Sequence, residues 1–315
     1  MGSGVQSALV IGATGGTGKA ITDELLRRKV PTAVLVRSAH KLGAIAKQVT
    51  VFEGDAFNRD DVRKAAQDVD IVFQCAAVPY NEMEKRQLPL GESVMGAAAS
   101  LRKKIIFVDG IYPYGDVNGI VEETTPKRPN TRKGKIKLAL ADLVFSDIYN
   151  DAKAIIARLP DYYGPTAGVS SYLGSTLIGI ANEKPTVFIG NLHTPREYVY
   201  LPDAAKMVVE IALRDKSYRQ EWNIPGQVLS GKEIVHIAQN AVGKRRMVLP
   251  LGSFSLRMLG LVNPVMGEIV EMLYLTKRPV IISGAKYQKE IGAIVRTPFA
   301  DGIRETIAAI RNGER

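Results

Sequence analysis

Short apolar runs alternate with segments of helical periodicity along the first half of the chain. The runs predict strands at Ala8–Ile11, Thr32–Val36, Val49–Phe52, Asp70–Gln74, Ile105–Val108 and Ala154–Arg158. The segments between them predict helices at Lys19–Lys29, Asp60–Gln67, Gly91–Leu101 and Ile136–Tyr149. Short apolar strands that alternate with helices are typical of a parallel sheet with helices on both faces. We therefore predict a doubly wound α/β fold, because crossover connections are right-handed.

The second half of the chain has a looser pattern, in which proline and glycine turns separate irregular helices and short strands. One helix is clearly bounded, because Ser230 is placed to cap it, Glu233 completes a capping box and Gly243 follows its end. We predict a nucleotide-binding Rossmann domain over residues 1–165 and a smaller α/β substrate lobe over residues 166–315. Residues of about 199–215 are expected to return to the first domain.

Composition narrows the class of protein. The 315 residues include 42 Lys and Arg against 32 Asp and Glu, which gives a net charge of +10. A single cysteine and three histidines without ligand spacing exclude a disulfide framework and a metal centre built from these residue types. Charged residues interrupt the apolar stretch Leu251–Leu275, which therefore predicts amphipathic helices and no membrane span. We expect a cytoplasmic protein without a membrane partner.

A glycine-rich turn follows the first predicted strand and opens the first predicted helix. Its glycines have the spacing G-x-x-G-x-x-G. The residues that we expect to contact a bound cofactor are Gly12, Thr14, Gly15, Gly16, Thr17 and Gly18. Glycine permits positive φ and a close approach of the backbone to a pyrophosphate, and a helix N-terminus attracts the anion. A plain tight turn is the alternative, but the strand before it and the helix after it favour a dinucleotide site.

The end of the second predicted strand distinguishes the two nicotinamide cofactors. An acidic residue there would bind the ribose 2′-hydroxyl of NAD, whereas an arginine accommodates the 2′-phosphate of NADP. The chain has Arg37 at this point and Lys41 close behind, with no carboxylate at the same position. A guanidinium is a bidentate partner for a phosphate dianion, so the sequence favours NADP(H) over NAD(H). The alternative interpretation is a solvated surface arginine.

The next two strand ends carry residues suited to a dinucleotide. After the third strand, Asp55 with Ala56 beside it is placed to accept a hydrogen bond from the adenine amino group, or instead to cap the next helix. After the fourth strand, Cys75, Ala76 and Ala77 are small where the backbone has to approach the cofactor. Cys75 has no neighbouring base, which favours a small buried residue over a nucleophile.

With these motifs the chain resembles the short-chain dehydrogenase/reductase superfamily, on its extended, epimerase/dehydratase-like side. The resemblance spans nearly the whole chain, and its motifs are Gly12–Gly18, Asp55, Ala76-Ala77, Tyr112–Gly115, Glu122–Pro126, Arg158–Pro165 and Tyr198–Asp203. It implies an NAD(P)-binding sheet. We also predict cofactor contacts from Asp109, Leu159 and Asp161, which follow the fifth and sixth predicted strands.

The catalytic residues of that superfamily are replaced in this chain. Members use a Ser or Thr after the fifth strand and a Tyr-x-x-x-Lys pair on the next helix. Matched on Gly115 and Asp142, the chain has Gly110 at the hydroxyl position, Gly134 at the tyrosine position and Leu138 at the lysine position. The chain is therefore similar to the atypical branch, whose members keep the cofactor fold without these residues.

Two tyrosines and a lysine are candidates to replace the lost residues. Tyr112 and Tyr114 face the same way in an extended segment, on the side of Gly110, and Lys135 lies one helical turn from Leu138. A nearby cation lowers the pKa of a phenol. Our hypothesis is that Tyr112 donates the proton with Lys135 as the cation, and that Tyr114 is the second catalytic candidate. The alternative is that both tyrosines pack a rigid turn.

Substrate contacts are expected from Tyr80 and Tyr163, at the carboxyl edge of the sheet, unless these residues only pack the hinge between the domains. Arg196 is suited to an anionic group of the substrate, although we favour the simpler interpretation of a surface salt bridge.

The basic run Lys127–Lys137 lacks the aromatic spacing of nucleic-acid binders, so we expect a solvated loop and no nucleic-acid partner. The helix Leu138–Ile148 suits the helix-paired homodimers of similar proteins.

The favoured interpretation is an NADP(H)-dependent oxidoreductase that moves a hydride between the nicotinamide and a small carbonyl or alcohol substrate. Two alternatives stay open. One is an enzyme similar to nucleotide-sugar epimerases and dehydratases, which the long second lobe suggests. The other is a non-catalytic NADP(H)-binding sensor or regulator, which the loss of the usual catalytic residues suggests.

Overall fold

The computed structural model describes residues 6–117, 119–169, 171–260, 268 and 270–313. The chain forms two compact units. The first unit contains Met1–Gly110, Lys135–Arg158 and Ala205–Trp222, and the second contains Ile111–Gly134, Leu159–Ala204 and Asn223–Arg315. Residues 111–134 and 159–165, which the sequence assigns to the first domain, lie in the second unit. Residues 205–222 return to the first unit, where the sequence predicted about 199–215.

The elements are labelled here in chain order. The strands are β1 Ala8–Ile11, β2 Thr32–Val36, β3 Thr50–Glu53, β4 Ile71–Gln74, β5 Lys104–Gly110, β6 Ile120–Val121, β7 Lys153–Leu159, β8 Asp161–Tyr163, β9 Thr186–Ile189, β10 Pro195–Tyr200, β11 Gln220–Asn223, β12 Gln227–Ser230, β13 Val248–Leu251 and β14 Ile281–Ile282. The helices are α1 Gly16–Arg27, α2 Arg59–Ala66, α3 Met83–Ser100, α4 Arg132–Val144, α5 Gly174–Ala181, α6 Leu201–Ala212, α7 Gly231–Val242, α8 Ser253–Gly260, α9 Ala285–Glu290 and α10 Phe299–Arg311.

A seven-stranded sheet forms the centre of the first unit. Its strand order is β11-β7-β5-β4-β1-β2-β3. The central strand β1 runs parallel to β2 and β4, and Ile11 is aligned with Leu35 and Gln74, so these three strands end at the same edge. Every residue of the three strands is buried, which explains why their sequences are nearly continuous apolar runs. The predicted doubly wound α/β fold is confirmed.

Two helices of the first unit differ from their predicted bounds. α3 begins well before its predicted start at Gly91 and continues through Pro89. Leu90 and Val94 on this helix are buried, and their burial offsets the hydrogen bond that a proline cannot make. α4 also begins earlier than predicted and ends sooner, because its expected last residues form a separate 3₁₀ turn, Asp147–Tyr149.

Small sheets and a separate aromatic core make up the second unit. Its described strands pair in the orders β12-β10-β8, β13-β9 and β14-β6. One core cluster is centred on the buried residues Tyr163, Leu177, Phe188, Tyr198, Ile234 and Ile303. α7 is bounded as predicted: Ser230 Oγ accepts from the Glu233 amide, the Glu233 carboxylate accepts from the Ser230 amide, and Gly243 ends the helix with φ 76°.

None of the described helices is long and apolar enough to cross a membrane. In the late apolar stretch the structure has α8 and a 3₁₀ turn, Glu271–Thr276, while residues 261–267 and 269 lie outside the described residues. α8 is amphipathic as predicted, because Leu256 is buried and Phe254 is 77% exposed.

Candidate functional site

The glycine turn closes tightly against the end of β4. Gly12 has φ +84°, a conformation that L side chains rarely adopt, and a Cβ atom there would lie 2.6 Å from the amide nitrogen of Ala76. A Cβ atom at Gly18 would overlap the carbonyl oxygen of Gly12, so this glycine lets α1 pack against the turn. Two of the three motif glycines are therefore required by the backbone itself.

The third motif glycine leaves the start of α1 open. Gly15 is the N-cap residue, it is exposed, and a Cβ atom there would meet only the carbonyl oxygen of Gly12, at 3.4 Å. The first turn of a helix presents N–H groups and a partial positive charge, which together favour an anion. The order of the strands changes direction between β1 and β4, where ligands bind in sheets of this kind. The turn fits the pyrophosphate of a dinucleotide.

Both cations predicted for a 2′-phosphate are exposed at the carboxyl end of β2. These are Arg37 and Lys41. A carboxylate that the sequence did not predict reaches the same loop from the neighbouring strand: Glu53 is aligned with Val36 and accepts a hydrogen bond from the Ala39 amide at 2.6 Å. This hydrogen bond ties the loop that carries both cations to the end of β3.

Asp55 does not cap α2. Its Oδ1 accepts a hydrogen bond from the Phe57 amide at 3.1 Å, within its own turn. Asn58 caps the helix instead, by accepting from the Asp60 amide at 2.9 Å. The capping alternative for Asp55 is therefore wrong, and its carboxylate is exposed just after β3, beside the partly buried Ala56.

The residues after β4 are small and adjoin the glycine turn. The Cys75 amide donates to the carbonyl oxygen of Ile11 at 2.9 Å. Burial raises the pKa of the Cys75 thiol, so the thiolate that a nucleophile needs is disfavoured. Ala76 is partly buried, Ala77 is exposed, and the partly exposed Tyr80 begins the short 3₁₀ turn that leads into α3. All of them belong to the first unit.

A buried ion-pair network connects three neighbouring strands, β5, β7 and β11, at one end of the large sheet. Arg158 on β7 is fully buried, and its guanidinium contacts Asp109 on β5 and Glu221 on β11, each at 2.9 Å. It also donates to the carbonyl oxygen of Gly110 at 3.3 Å. The Nζ atom of Lys137 on α4 lies 2.5 Å from the other carboxylate oxygen of Asp109. Two cations thus balance two carboxylates, as burial of charge requires.

Lys137, and not Lys135, faces the sheet. Lys135 is exposed, whereas the side chain of Lys137 is 14% exposed and is held by Asp109. The structure therefore favours Lys137 over Lys135 as the cation that faces the sheet. Lys135 was chosen from its spacing to Leu138, and Leu138 came from matching Asp142 to a family position. Moving that match back by one residue places Lys137 at the lysine position.

The position matched to the lost tyrosine has no room for a side chain. A Cβ atom on Gly134 would lie 2.8 Å from the carbonyl oxygen of Tyr112. Tyr112 is partly buried in the 3₁₀ turn that begins with it. Tyr114, at the end of this turn, is fully buried, and its hydroxyl donates to Asn223 Oδ1 at 2.9 Å. This environment favours the alternative, in which Tyr114 packs a rigid turn.

In the second unit, Arg196 lies in the interior and not at the surface. Its side chain is 7% exposed, forms an ion pair with Asp161, and places its guanidinium carbon 3.9 Å from the ring centre of Tyr172. The expected salt bridge exists, but its predicted surface location is wrong. A buried arginine needs a paired carboxylate, so Asp161, which the sequence assigned to the cofactor, is engaged by Arg196.

Further polar groups lie close to this ion pair. The hydroxyl groups of Tyr198 and Tyr274 are buried without a hydrogen-bond partner in the part of the chain that the structure describes. Burial raises the pKa of both phenols, so both stay protonated and able to donate. Glu197 lines the same cavity as Arg196 and accepts two backbone N–H groups, and burial raises the pKa of its carboxyl group to about 7.

Tyr163 and Leu159 are buried. The ring of Tyr163 packs against Tyr200 and Phe299, with ring centres 5.3 Å and 4.4 Å away. Its hydroxyl has no hydrogen-bond partner among the described residues, and burial raises its pKa. This environment is that of a core residue of the second unit, which is neither of the two roles that the sequence suggested for Tyr163.

One buried cation was missed by the sequence analysis. Lys133 is 2% exposed, and its Nζ atom pairs with Glu271 at 2.8 Å and also with Glu268. The expectation of a solvated loop over Lys127–Lys137 is therefore wrong at this residue. No local signal could have identified it, because its partners are 135 and 138 residues away along the chain.

The family model described as the NAD dependent epimerase/dehydratase family matches residues 8–224 of the chain. The matched range begins at β1 and ends just after β11, so it contains all seven strands of the large sheet. Among proteins with curated functions, none matches the chain.

Solved structures share the fold. A UDP-glucuronic acid 4-epimerase from Bacillus cereus in complex with NAD has a TM-score of 0.80 at 18% identity, covering 98% of this chain and 100% of that one. A dTDP-glucose 4,6-dehydratase from Streptomyces venezuelae with NAD and TYD bound has a TM-score of 0.81 at 17% identity, covering 98% of both chains. A UDP-glucose 4-epimerase from Thermus thermophilus in complex with NAD has a TM-score of 0.77 at 21% identity, covering 97% of this chain and 99% of that one.

Replacing Arg158 with methionine should destabilise the first unit strongly. The variant removes the guanidinium that Asp109 and Glu221 share, so we expect the free energy of unfolding to fall by about 3–5 kcal/mol. Urea unfolding followed by the emission of Trp222 measures this, because Trp222 is the single tryptophan and is buried next to Glu221. Arg214→Met is the control, because Arg214 is 43% exposed and its ion pair with Glu210 is worth about 0.5 kcal/mol or less. Equal stability of both variants would contradict the network's role.

Proposed function

The chain belongs to the NAD dependent epimerase/dehydratase family, and we propose that it binds a nicotinamide dinucleotide at the glycine turn of the first unit and uses it for hydride transfer. When bound, the nicotinamide would supply a carbon that gives or accepts a hydride, so that a carbonyl carbon of the substrate becomes an alcohol carbon or the reverse. The residues of the chain hold the cofactor, orient the substrate and move the proton. The proposed activity is that of an oxidoreductase.

The observation that carries this proposal is the ion pair between Lys137 and Asp109. In the superfamily the lysine of the Tyr-x-x-x-Lys pair holds the nicotinamide ribose. Lys137 is one residue from the position first matched to that lysine, and Asp109 fixes it at the carboxyl end of β5. An ammonium group has three donors, so it can contact Asp109 and still donate to ribose hydroxyl groups. Arg158 holds Asp109 from the other side.

Shifting the match by one residue also changes which residue stands at the tyrosine position. Lys133 and Lys137 keep the four-residue spacing of the pair, and Gly134, which cannot carry a side chain, is no longer required to replace a tyrosine. The ammonium group of Lys133 is buried and already engaged by two carboxylates of the second unit. We therefore keep Tyr112, whose backbone lies against Gly134, as the proposed proton donor to the substrate oxygen.

We propose NADP(H) in preference to NAD(H). Arg37 and Lys41 are exposed where the 2′-phosphate would lie, and a guanidinium matches a phosphate in geometry and charge. Glu53, which is aligned with Val36 on the neighbouring strand, is engaged by the Ala39 amide. The three solved relatives described above contain NAD, so the preference rests on the residues of this chain alone.

Nucleotide sugars are the second candidate class of substrate. Their diphosphate carries the anionic charge that the buried Arg196 would attract, and the hydroxyl groups of Tyr198 and Tyr274 can donate to phosphate or sugar oxygens. The relatives named above are epimerases and a dehydratase of such nucleotides. In an epimerase the hydride returns to the carbon that it left, so no net oxidation of the substrate occurs.

The two candidates differ in their use of reduced cofactor. An oxidoreductase should oxidise NADPH, so that its absorbance falls in proportion to the amount of carbonyl substrate reduced. An epimerase should instead convert one UDP-sugar into another when it is supplied with the oxidised cofactor, which NMR would show, with no net accumulation of NADPH. We expect net NADPH oxidation with at least one member of a panel of aldehydes and ketones. Binding of NADPH without hydride transfer to any member of either panel would contradict an enzymatic role.

Replacing Arg37 with alanine should weaken NADPH binding selectively. The variant removes the partner of the 2′-phosphate, so we expect the dissociation constant of NADPH to rise about tenfold or more, as for a lost hydrogen bond between charged groups. The NADH constant should stay unchanged, because NADH lacks that phosphate. Isothermal titration calorimetry measures both, with Arg63→Ala, an exposed arginine on α2, as the control. Equal losses for both cofactors would contradict the preference.

A further inference from the structure

One surface of the second unit is both basic and apolar, and the proposed reaction does not use it. We call it the basic-apolar surface. Its members are all exposed, and they are Lys184, Lys244, Arg245, Arg246, Met247, Leu249, Phe254, Arg257 and Met258.

The cations of this surface gather around a single carboxylate. Glu183 pairs with Lys244 at 2.5 Å, and its backbone carbonyl accepts a hydrogen bond from the Arg246 guanidinium at 2.9 Å. Lys184 and Arg245 are the chain neighbours of these residues. Arg311 also pairs with Glu183 at 3.3 Å, so five cations lie near one acid. The excess creates a positive local potential that attracts an anionic partner.

The first part of the apolar surface lies on the outer face of the β9–β13 pair. Val248 packs against the core of the second unit. Residues two apart on a strand share a face, so Met247 and Leu249 point away from that core, and they are 60% and 49% exposed. The Thr186 amide donates to the Met247 carbonyl oxygen at 3.0 Å. This bond lies at the start of both strands, close along the chain to the cations Lys184 and Arg246.

The second part of the apolar surface is on α8, which follows β13. Phe254 and Met258 are one turn apart and are 77% and 53% exposed. Arg257 lies on the same face, while Leu256 is buried on the opposite face. Between residues 233 and 268 the sequence contains no Asp or Glu. Exposed apolar and basic residues on one helix face are typical of helices that lie in a membrane interface.

We propose that the basic-apolar surface docks on an anionic phospholipid surface. The apolar side chains would enter the headgroup region, and the cations would contact phosphate and carboxylate headgroups. We expected no membrane partner from the sequence because no segment spans a bilayer, but docking of this kind needs no span. Soluble proteins rarely leave such a cluster of large apolar side chains exposed without a partner.

The charge of the surface argues against the other two occupants. A second copy of the chain in a two-fold contact would bring this basic surface against itself. The like charges of the two copies would then repel each other across the contact. A nucleic acid would match the cations, but binders of single strands stack bases on aromatic side chains. Met247, Leu249 and Met258 cannot stack in that way, whereas lipid chains give them an apolar environment.

Co-sedimentation with lipid vesicles tests the proposal. We expect the protein to sediment with vesicles of phosphatidylcholine and phosphatidylserine, and to stay in solution with phosphatidylcholine alone. The bound fraction should fall as salt is added. The double variant Phe254→Ser, Met258→Ser should bind at least about tenfold more weakly, since it loses two apolar side chains. Arg245→Gln should weaken binding about fivefold, as expected for one cation near an anionic leaflet.

Matched controls come from the first unit. Ile148→Ser removes an apolar side chain that is 84% exposed, and Lys64→Gln removes an exposed cation on α2; neither should change vesicle binding. All variants should keep the parent's thermal unfolding and NADPH affinity, so the outcome is independent of the proposed function.

Three kinds of result would overturn the proposal. The first is a vesicle assay without the expected difference. This means either equal binding to both kinds of vesicle or equal binding by the parent and the double variant at Phe254 and Met258. The second is a dimer in solution without vesicles that the double variant loses, which would assign the surface to a second copy. The third is binding to duplex DNA that requires Arg245 but not Phe254, together with no binding to vesicles, which would assign it to a nucleic acid.

Discussion

The first unit depends on burying a guanidinium within its sheet. Arg158 has no exposed surface, so its charge has to be matched by partners in the interior, and Asp109 and Glu221 supply them from the strands on either side. Leaving a buried charge without its partner costs several kcal/mol, so β5, β7 and β11 have to be in place together. Because β11 comes from late in the chain, this requirement brings Glu221 back to the first unit.

The same constraint positions the candidate chemistry. Asp109 shares its two oxygens between Arg158 and Lys137, so the network that satisfies the buried guanidinium also fixes an ammonium group at the end of β5. At the end of β1, in the same sheet, Gly15 leaves the start of α1 open to an anion. In the proposed function, the glycine turn would hold the pyrophosphate and Lys137 the ribose, both at the carboxyl ends of strands of the first unit. A cofactor with both groups fits this arrangement.

Features set by neighbouring residues in the sequence were predicted well, and features set by distant contacts were not. The strand runs, the glycine turn and the capping box of α7 each depend on a few adjacent residues, and all three are present as predicted. The choice between Lys135 and Lys137 depends on how α4 is rotated against β5, which spacing alone does not determine. The burial of Arg196 depends on Asp161 from β8, and that of Lys133 on two glutamates far along the chain.

Our central claim is that Lys137, held by Asp109, is the cation that binds the nicotinamide ribose. The most direct test is the dissociation constant of NADPH for Lys137→Met measured beside that for Lys135→Met, a neighbouring lysine that is exposed. We expect the constant to rise about tenfold or more for Lys137→Met, as for the loss of a charged hydrogen-bond donor, and to stay at the parent value for Lys135→Met. An unchanged constant for Lys137→Met, or a larger loss for Lys135→Met, would contradict the claim.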